Sequence, residues 1–277
     1  MTIETLQNLL KHYGLSPNKT YGQHFLMDET ILEDMIDVAA VSPKDTIVEI
    51  GPGIGNLTER LLERGASVLA IEKDEQFLPV LESLQKEHEN FAYELTDALK
   101  FDFASNPLLA NGYKVVANIP YYITGKIVQM FLGLHNKPQS LTLLMQKEVA
   151  RNIVAKAGQL NLLAISVQLF GEAELVAVVP AHKFYPAPKV DSAVIHIQIF
   201  EQPKYQLADE KKFFRVLRAC FTGKRKQIHN TLTNNLGLQK PEVLQILAEV
   251  GVAAEARPQQ LTIADWISLV EKISLSK

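Results

Sequence analysis

The 277-residue sequence contains one cysteine, Cys220, and this scarcity excludes an internal disulfide bond. So little cysteine is typical of a reducing compartment, and we expect a cytoplasmic protein. The seven histidines lack the spacing of metal ligands, so we expect no bound metal. The chain also lacks an apolar run of the roughly 20 residues that a membrane span needs, and its first residues do not match a signal peptide. We therefore expect no membrane association.

An excess of positive charge is missing as well. The formal net charge is −3, so the chain as a whole is not an evident binder of nucleic acid, and any such interface must be a local patch. Hydrophobic residues make up 47% of the sequence, which is enough for a sizeable core. No feature indicates an obligate oligomer, and we expect a monomer.

From residue 46 onwards, short apolar runs alternate with amphipathic segments, a pattern typical of β-α-β units in a parallel sheet. Strands are predicted over residues 46–50, 67–72, 91–96, 113–118, 140–146, 162–170, 174–179 and 192–200. Helices are predicted over residues 56–65, 75–87, 124–134 and 147–157. The sequence therefore predicts an α/β fold, with a Rossmann-like domain over residues 1–200 that carries an N-terminal helical extension.

The pattern changes near residues 201–210, which form a short polar stretch. Amphipathic helical patterns follow it, over residues 209–221, 226–236, 240–250 and 263–274. We predict a small all-helical C-terminal domain over residues 201–277.

A glycine loop, VEIGPGIGNLTERL, places Gly51, Gly53 and Gly55 between a strand and a helix. Glycines there permit a tight turn and close approach of a ligand, and the helix N-terminus favours an anionic group. Glu72 ends the next strand, where a carboxylate can accept hydrogen bonds from ribose hydroxyls. A dinucleotide, S-adenosylmethionine or a turn without a ligand would fit. Because the third glycine is one place early for a dinucleotide, and because Glu49 suits a cationic methionine end, we favour S-adenosylmethionine.

Asp97 and Asn118 follow two further predicted strands. In an open α/β sheet, ligands bind outside the carboxyl ends of the strands, so Gly51, Glu72, Asp97 and Asn118 are expected to meet at one edge. Each residue alone has an ordinary explanation, such as the capping of a helix. Together they predict a ligand site.

The segment NIPYY, residues 118–122, is suited to methylation of an exocyclic amine. The lone pair of such an amine is delocalised, and two acceptors, the Asn118 side-chain oxygen and a carbonyl near Ile119, would stabilise the charge that builds on nitrogen. Pro120 orients that carbonyl, and Tyr121 offers a flat face for a base. A glutamine amide poses the same electronic problem, so a protein-glutamine methyltransferase also fits. A proline turn with two core aromatics is the plain alternative.

Six segments occur in the following order along nearly the whole chain: YGQHFL (21–26), EIGPGIGNLT (49–58), AIEKD (70–74), TDAL (96–99), NIPYYIT (118–124) and FYPAPKVDSAV (184–194). Together they resemble the bacterial rRNA adenine dimethyltransferases. GQHFL and EIGPG resemble the housekeeping small-subunit enzyme more than the antibiotic-resistance enzymes of large-subunit RNA, which usually have Ser in place of Pro52.

This resemblance implies a Rossmann-like, S-adenosylmethionine-dependent methyltransferase domain. The implied reaction dimethylates two adjacent adenines in a hairpin loop near the 3′ end of small-subunit rRNA, with a role in small-subunit biogenesis. The implied partner is that rRNA or the immature small ribosomal subunit. A large-subunit methyltransferase of the resistance type and a non-catalytic ribosome-assembly factor stay open as alternatives.

The resemblance also assigns residues. It implies a catalytic group of Asn118, Pro120, Tyr121 and Phe184, in which the two aromatic rings stack the flipped base. It implies a cofactor site formed by Gln23, His24, Leu26, Gly51, Gly53, Glu72, Lys73, Asp97, Ala98 and Asn118. His24 stands where the family usually has Asn. Because the charge of a histidine changes with pH, we expect cofactor affinity to depend on pH at about 6.5. Residues 156–166 lack the Tyr-Gly-Arg that the family usually has.

Positive charge is concentrated in residues 204–226, which hold eight basic and two acidic side chains. Such a cluster neutralises phosphates and makes binding depend on salt, although an ordinary solvated helix face is the alternative. The predicted RNA-binding residues are Lys147, Arg151, Lys211, Arg215, Arg218, Lys224, Arg225 and Lys226.

Overall fold

The computed structural model describes residues 1–18, 21–223 and 226–274. The chain divides into two compact units, the first formed by residues 1–151 and 171–201, and the second by residues 152–170 and 202–277. The contiguous division predicted from the sequence therefore differs over residues 152–170, which belong to the second unit.

A seven-stranded mixed sheet is the centre of the first unit. Its order is β4-β3-β2-β5-β6-β9-β7, in which the first five strands pair in parallel and β9 runs antiparallel to both of its neighbours, β6 and β7. A separate pair, β1 and β8, is antiparallel. The strands are β1 (Phe25–Leu26), β2 (Thr46–Ile50), β3 (Ser67–Glu72), β4 (Phe91–Leu95), β5 (Lys114–Asn118), β6 (Ser140–Gln146), β7 (Gly171–Val179), β8 (Phe184–Tyr185) and β9 (Ser192–Ile199).

Helices accompany the parallel strands, and the predicted Rossmann-like α/β class is confirmed. They are α1 (Ile3–His12), α2 (Glu29–Val38), α3 (Asn56–Glu63), α4 (Leu78–Glu87), α5 (Thr124–Gly133) and α6 (Lys147–Ile153). Strands β2, β3 and β6 are almost entirely buried, as expected for runs of Val, Ile and Leu that are covered on both faces. Because both faces of the sheet are covered, a ligand can bind to it only at the ends of the strands.

The second unit is all-helical. Its helices are α7 (Leu162–Phe170), α8 (Glu210–Phe221), α9 (Ile228–Leu236), α10 (Lys240–Glu249) and α11 (Ile263–Lys272). Their buried side chains, among them Trp266 and Phe213, form one core. Cys220 is buried in this core, and burial raises the pKa of its thiol to about 12. The loop before α7 is held by the amides of Gly158 and Leu160, which both donate to the Gln259 carbonyl.

The prediction of a strand over residues 162–170 is wrong, because this segment forms helix α7. Four consecutive residues, 164–167, are buried together with Leu169, so the segment shows neither a helical nor a strand period, and periodicity cannot separate the two. The helix starts where the Asn161 side chain accepts from the Ala164 amide. Its apolar side chains pack in the core of the second unit, which explains why this segment joins that unit.

Two features are absent from the residues that the structure describes. No helix among them is both long and apolar enough to cross a bilayer. Within the same residues, no group of three or more His, Cys, Asp or Glu side chains is arranged to hold a metal ion.

Candidate active site

A cavity of about 280 Å³ lies at the carboxyl ends of β2, β3 and β5. Of the residues predicted for cofactor binding and catalysis, all but Phe184 line it, namely Gln23, His24, Leu26, Gly51, Gly53, Glu72, Lys73, Asp97, Ala98, Asn118, Pro120 and Tyr121. The parallel strands bring together segments that range from residue 51 to residue 121 of the sequence, since their carboxyl ends meet at one edge.

The glycine loop after β2 has a backbone that only glycine adopts readily. The φ angles are +71° at Gly51, +56° at Gly53 and +81° at Gly55. Gly55 is the N-cap residue of α3. A side chain at Gly51 would point at the ring of Pro120, with its Cβ 3.9 Å from the proline Cδ. The loop thus lies against the NIPYY segment, and its amides border the cavity.

Glu72, at the end of β3, is 6% exposed and is held by backbone amides. Gly53 donates to one carboxylate oxygen over 3.2 Å, and Lys73 and Asp74 donate to the other over 2.7 and 2.8 Å. Burial raises the pKa of this carboxyl, while the amide hydrogen bonds act in the opposite direction. The side chain is therefore fixed in orientation at the cavity wall.

Glu49, on β2, lies deeper and is 1% exposed. The Thr58 hydroxyl donates to its Oε2 over 2.6 Å. Burial raises the pKa of Glu49 to about 8, so most of the carboxyl is protonated at neutral pH. A cationic group in the cavity would favour the ionised form, because an opposite charge nearby lowers the pKa of a carboxyl.

Asp97 and Lys73 form an ion pair at the cavity wall. The Lys73 ammonium lies 2.9 Å from Asp97 Oδ2, and the Leu99 amide donates to Oδ1 over 3.0 Å. The hydrogen bond from Lys73 lowers the pKa of Asp97. The same ammonium lies 5.8 Å from the centre of the Tyr21 ring. Asp97 is therefore ionised and offers acceptor oxygens to a ligand amine.

The amide of Asn118 has a defined orientation. Its Nδ2 donates to the His24 carbonyl over 3.2 Å, which leaves Oδ1 as the acceptor on the other side of the amide. The Pro120 carbonyl accepts from the Ile123 amide over 3.2 Å in a turn. This hydrogen bond engages the Pro120 carbonyl, and the Ile119 carbonyl that precedes it is the main-chain acceptor predicted for the target amine. The segment thus holds the two predicted oxygen acceptors on consecutive residues, Asn118 and Ile119.

Two contacts hold the side chain of Tyr121, one at its hydroxyl and one at the face of its ring. Its hydroxyl lies 2.7 Å from the Ser192 hydroxyl, and its ring stacks on His24 with centroids 5.7 Å apart and planes inclined by 21°. His24 Nδ1 lies 2.6 Å from the Pro186 carbonyl, and since a carbonyl only accepts, Nδ1 carries the proton. The predicted dependence of cofactor affinity on the charge of His24 stays a prediction.

Phe184 is not brought into this cavity. It lies in β8 opposite Leu26, is 2% exposed and packs in the core of the first unit. A stacking role for Phe184 stays a prediction, and it would require the ring to become accessible.

Sequence reasoning missed other residues at the site. Tyr21, Tyr122 and Lys126 line the cavity, and Ser192 holds the Tyr121 hydroxyl. Tyr122 belongs to the quoted NIPYY segment but received no role. The contact between Ser192 and Tyr121 could not be predicted, because it depends on the pairing of β9 with β6 and β7, which is not visible in the sequence.

The predicted RNA-binding residues fall in both units. In the first, Lys147 pairs with Asp191 at 3.2 Å and Arg151 is exposed. In the second, α8 exposes Lys211, Arg215 and Arg218 on the side opposite its buried apolar residues, and Lys226 is exposed after it. Lys224 and Arg225 lie outside the described residues.

Comparison with known proteins gives consistent results. The family model described as "Ribosomal RNA adenine dimethylase" matches residues 14–274. A protein of Dehalococcoides mccartyi (strain CBDB1) named "Ribosomal RNA small subunit methyltransferase A" is 39% identical over 265 residues, which are 95% of this chain and 90% of that protein. A protein of the same name from Clostridium acetobutylicum is 37% identical over 269 residues, with coverage of 96% and 97%.

Solved structures agree with these matches. A dimethyladenosine transferase from Plasmodium falciparum superposes with a TM-score of 0.75 at 27% identity, covering 89% of this chain and 96% of its own. The 23S rRNA methyltransferase ErmE superposes with a TM-score of 0.69, also at 27% identity, covering 90% and 98%. The fold is thus shared between enzymes named for different substrates.

Proposed function

Because the chain belongs to the ribosomal RNA adenine dimethylase family, we propose that it dimethylates the exocyclic amines of two adjacent adenines in a hairpin loop near the 3′ end of small-subunit rRNA. The observation that supports this substrate is the 37–39% identity, over nearly whole lengths, to proteins named as small-subunit methyltransferases. The protein named for 23S rRNA is 27% identical. We place this reaction in the cytoplasm, on the immature small ribosomal subunit, and we propose that the protein acts as a monomer.

The residues of the cavity fit S-adenosylmethionine as the cofactor. The fixed carboxylate of Glu72 would bind the ribose hydroxyls, and Asp97 would accept a hydrogen bond from the adenine amine of the cofactor. Buried Glu49 would face the cationic methionine end beside the glycine loop. When bound, S-adenosylmethionine supplies an electrophilic methyl group. The chain itself has to bind the target amine and stabilise its developing charge.

Asn118 Oδ1 and the Ile119 carbonyl would accept hydrogen bonds from the two protons of that amine. These bonds pull the nitrogen away from planarity and stabilise the positive charge that builds on it. The bond from Asn118 Nδ2 to the His24 carbonyl prevents the amide from turning its NH₂ group towards the amine. No strong base is required, since the remaining amine proton becomes acidic once the transferred methyl group gives the nitrogen a positive charge.

The target base has to leave its stack to reach Asn118, which is easiest in an unpaired loop. Tyr121 would then receive it, because its ring is held by Ser192 and His24. Phe184 is a candidate for a second face if the β8 segment moves.

We propose that the helical unit contributes to RNA binding through Lys211, Arg215 and Arg218, while Lys147 and Arg151 contribute from the first unit. Exposed cations of this kind neutralise phosphates without reading sequence. A role in small-subunit biogenesis would follow from recognition of an immature particle.

The test is to incubate the protein with methyl-labelled S-adenosylmethionine and unmethylated small or large ribosomal subunits, and to map the label. We expect dimethyladenosine in small-subunit RNA alone. We expect Asn118→Ala to fold normally and to lose about 100-fold or more in kcat, as when one preorganised charge-stabilising group is removed. Asn111→Ala, an exposed asparagine of the same unit, is the matched control.

The other outcomes identify the alternatives. Label in large-subunit RNA would move the protein to the resistance class of methyltransferases. Binding to small subunits without any label would favour an assembly factor. Wild-type rates in Asn118→Ala would contradict the proposed role of the amide.

A further inference from the structure

Tyr122 differs from its neighbour Tyr121 in its surroundings. Tyr121 is half-buried with its hydroxyl on Ser192, whereas Tyr122 is 55% exposed. Seven large hydrophobic side chains are exposed among the residues that the structure describes, by 37–55%, and Tyr122 alone of them lines the cavity. An exposed aromatic ring at the mouth of a site is a common way of holding a base of a single strand.

The backbone holds Tyr122 at that mouth. It lies in the turn that the hydrogen bond from the Ile123 amide to the Pro120 carbonyl closes, directly before α5. The Tyr122 ring lies beside Gly22, and a Cβ added at Gly22 would be 3.9 Å from Cδ1 of the ring. Gly22 has a φ of +61°, which disfavours any other residue, and it adds no side chain over the ring.

Two cations line the same cavity as Tyr122. Lys73, which pairs with Asp97, lies 5.8 Å from the centre of the neighbouring Tyr21 ring. Lys126, on the first turn of α5, also lines the cavity. A cavity wall that combines an exposed aromatic ring with two ammonium groups matches a nucleotide, whose base is flat and whose phosphates are anionic.

We propose that Tyr122 is the stacking platform of a second nucleotide subsite, which holds the base next to the one that is being methylated. This inference rests on the proposed function. Tyr121 and Tyr122 are consecutive, with Cα atoms about 3.8 Å apart, so their rings can serve consecutive nucleotides of one strand. Because the bound strand keeps one polarity, this subsite holds the other target adenine during one of the two methylations and a flanking nucleotide during the other.

The first test compares Tyr122→Ala and Tyr122→Phe with wild type on unmethylated small subunits. For Tyr122→Ala we expect KM for the particle to rise about fivefold or more and kcat to stay within about twofold, because stacking acts in substrate binding. The fraction of RNA with both adenines dimethylated should fall, and the affinity for S-adenosylmethionine should not change. Tyr122→Phe keeps the flat ring and should resemble wild type.

The matched control is Leu108→Ala, which removes a side chain of similar exposure, 53%, away from the cavity. An unchanged KM and an unchanged doubly modified fraction in Tyr122→Ala would overturn the proposal. So would an equal effect in Leu108→Ala, or a loss confined to cofactor affinity. Failure of the proposed function would give a different result from failure of this inference, since the wild-type protein itself would then leave small-subunit RNA unmodified.

A second test replaces each target adenine in turn by uracil in the small subunit and measures methylation of the other. A pyrimidine stacks less strongly than a purine, so the replacement that changes the base in the subsite should raise KM for wild type. It should leave KM unchanged in Tyr122→Ala, because the subsite is already lost. Equal increases in both proteins would show that the two changes are independent, and would overturn the proposal.

Discussion

At the scale of single residues, the site depends on polar side chains whose orientation is fixed by neighbours far away in the chain. The Asn118 amide is turned by the His24 carbonyl, and the Tyr121 hydroxyl is held by Ser192. Neither neighbour is expected to touch the target amine. Their effect on the reaction passes through the group that they hold, which double substitutions can measure.

We expect Ser192→Ala to lower kcat/KM for small subunits by about fivefold, because the Tyr121 ring loses its anchor. Tyr121→Phe, which removes the other partner of the same hydrogen bond, should have a similar effect. The double variant should be no worse than either single variant, since both changes remove one interaction. Steady-state kinetics of the three proteins would check this, and additive losses would contradict a shared role.

Another expectation concerns Glu49 and pH. Burial raises its pKa from 4.5 to about 8, so the folded protein without ligand retains a proton that the unfolded chain releases. This contribution to stability is complete below pH 4.5 and is lost as the pH rises towards 8. Relative to Glu49→Gln, which keeps an acceptor for Thr58, the wild-type free energy of unfolding should fall with pH, by up to about 1.4 kcal/mol per pH unit.

Urea unfolding of both proteins between pH 5 and about pH 8 would measure this difference. Glu82→Gln changes an exposed carboxyl and serves as the control. Parallel curves for wild type and Glu49→Gln would show that Glu49 is ionised in the folded protein.

At the scale of elements, the glycine loop connects strand β2 to helix α3 through backbone conformations that side chains disfavour. Gly55 has a φ of +81°, and an added Cβ would lie 2.9 Å from the Leu84 side chain of α4. We expect Gly55→Ala to destabilise the protein by about 1–2 kcal/mol. Gly133→Ala, at an open position of α5 without a positive φ, should be neutral or slightly stabilising. Thermal unfolding would compare them, and equal effects would contradict the conformational argument.

The elements also show what the sequence could predict. Helix α8, which has a clear helical period, and the short apolar strands β2 and β3 are confirmed nearly to the residue. Helix α7 was predicted as a strand because a short segment that is apolar all round has no period. The gathering of Gly51, Glu72, Asp97 and Asn118 could be predicted, since parallel strands place their carboxyl ends together.

Other features of the site could not be predicted in this way. The anchor at Ser192 and the burial of Phe184 depend on how β8 and β9 pair, and antiparallel pairing over long sequence separations has no local signal. The same applies to the orientation of the Asn118 amide, which a main-chain carbonyl 94 positions away determines.

At the scale of the whole molecule, charge is distributed unevenly, with a net charge of −3 but a basic face on α8. We expect the combined change of Lys211, Arg215 and Arg218 to Ala to weaken binding to small subunits. It should also reduce the slope of log affinity against log salt by about two to three, because fewer counterions are released.

The control is the combined change of Lys11, Lys44 and Lys86 to Ala, which removes the same charge from exposed positions of the first unit. Filter binding at several salt concentrations would measure both slopes. Equal decreases in the two variants would show that net charge, and not the α8 face, governs binding.

The burial of Cys220 has a practical consequence. Thiol reagents react with the thiolate, and this group is both enclosed in the helical core and raised in pKa to about 12. The natural chain therefore serves as its own unreactive background for chemical labelling. A cysteine introduced at Tyr122 or Arg215 would be the one site for a fluorophore or a crosslinker, and its contacts with RNA could be mapped without first removing a native residue.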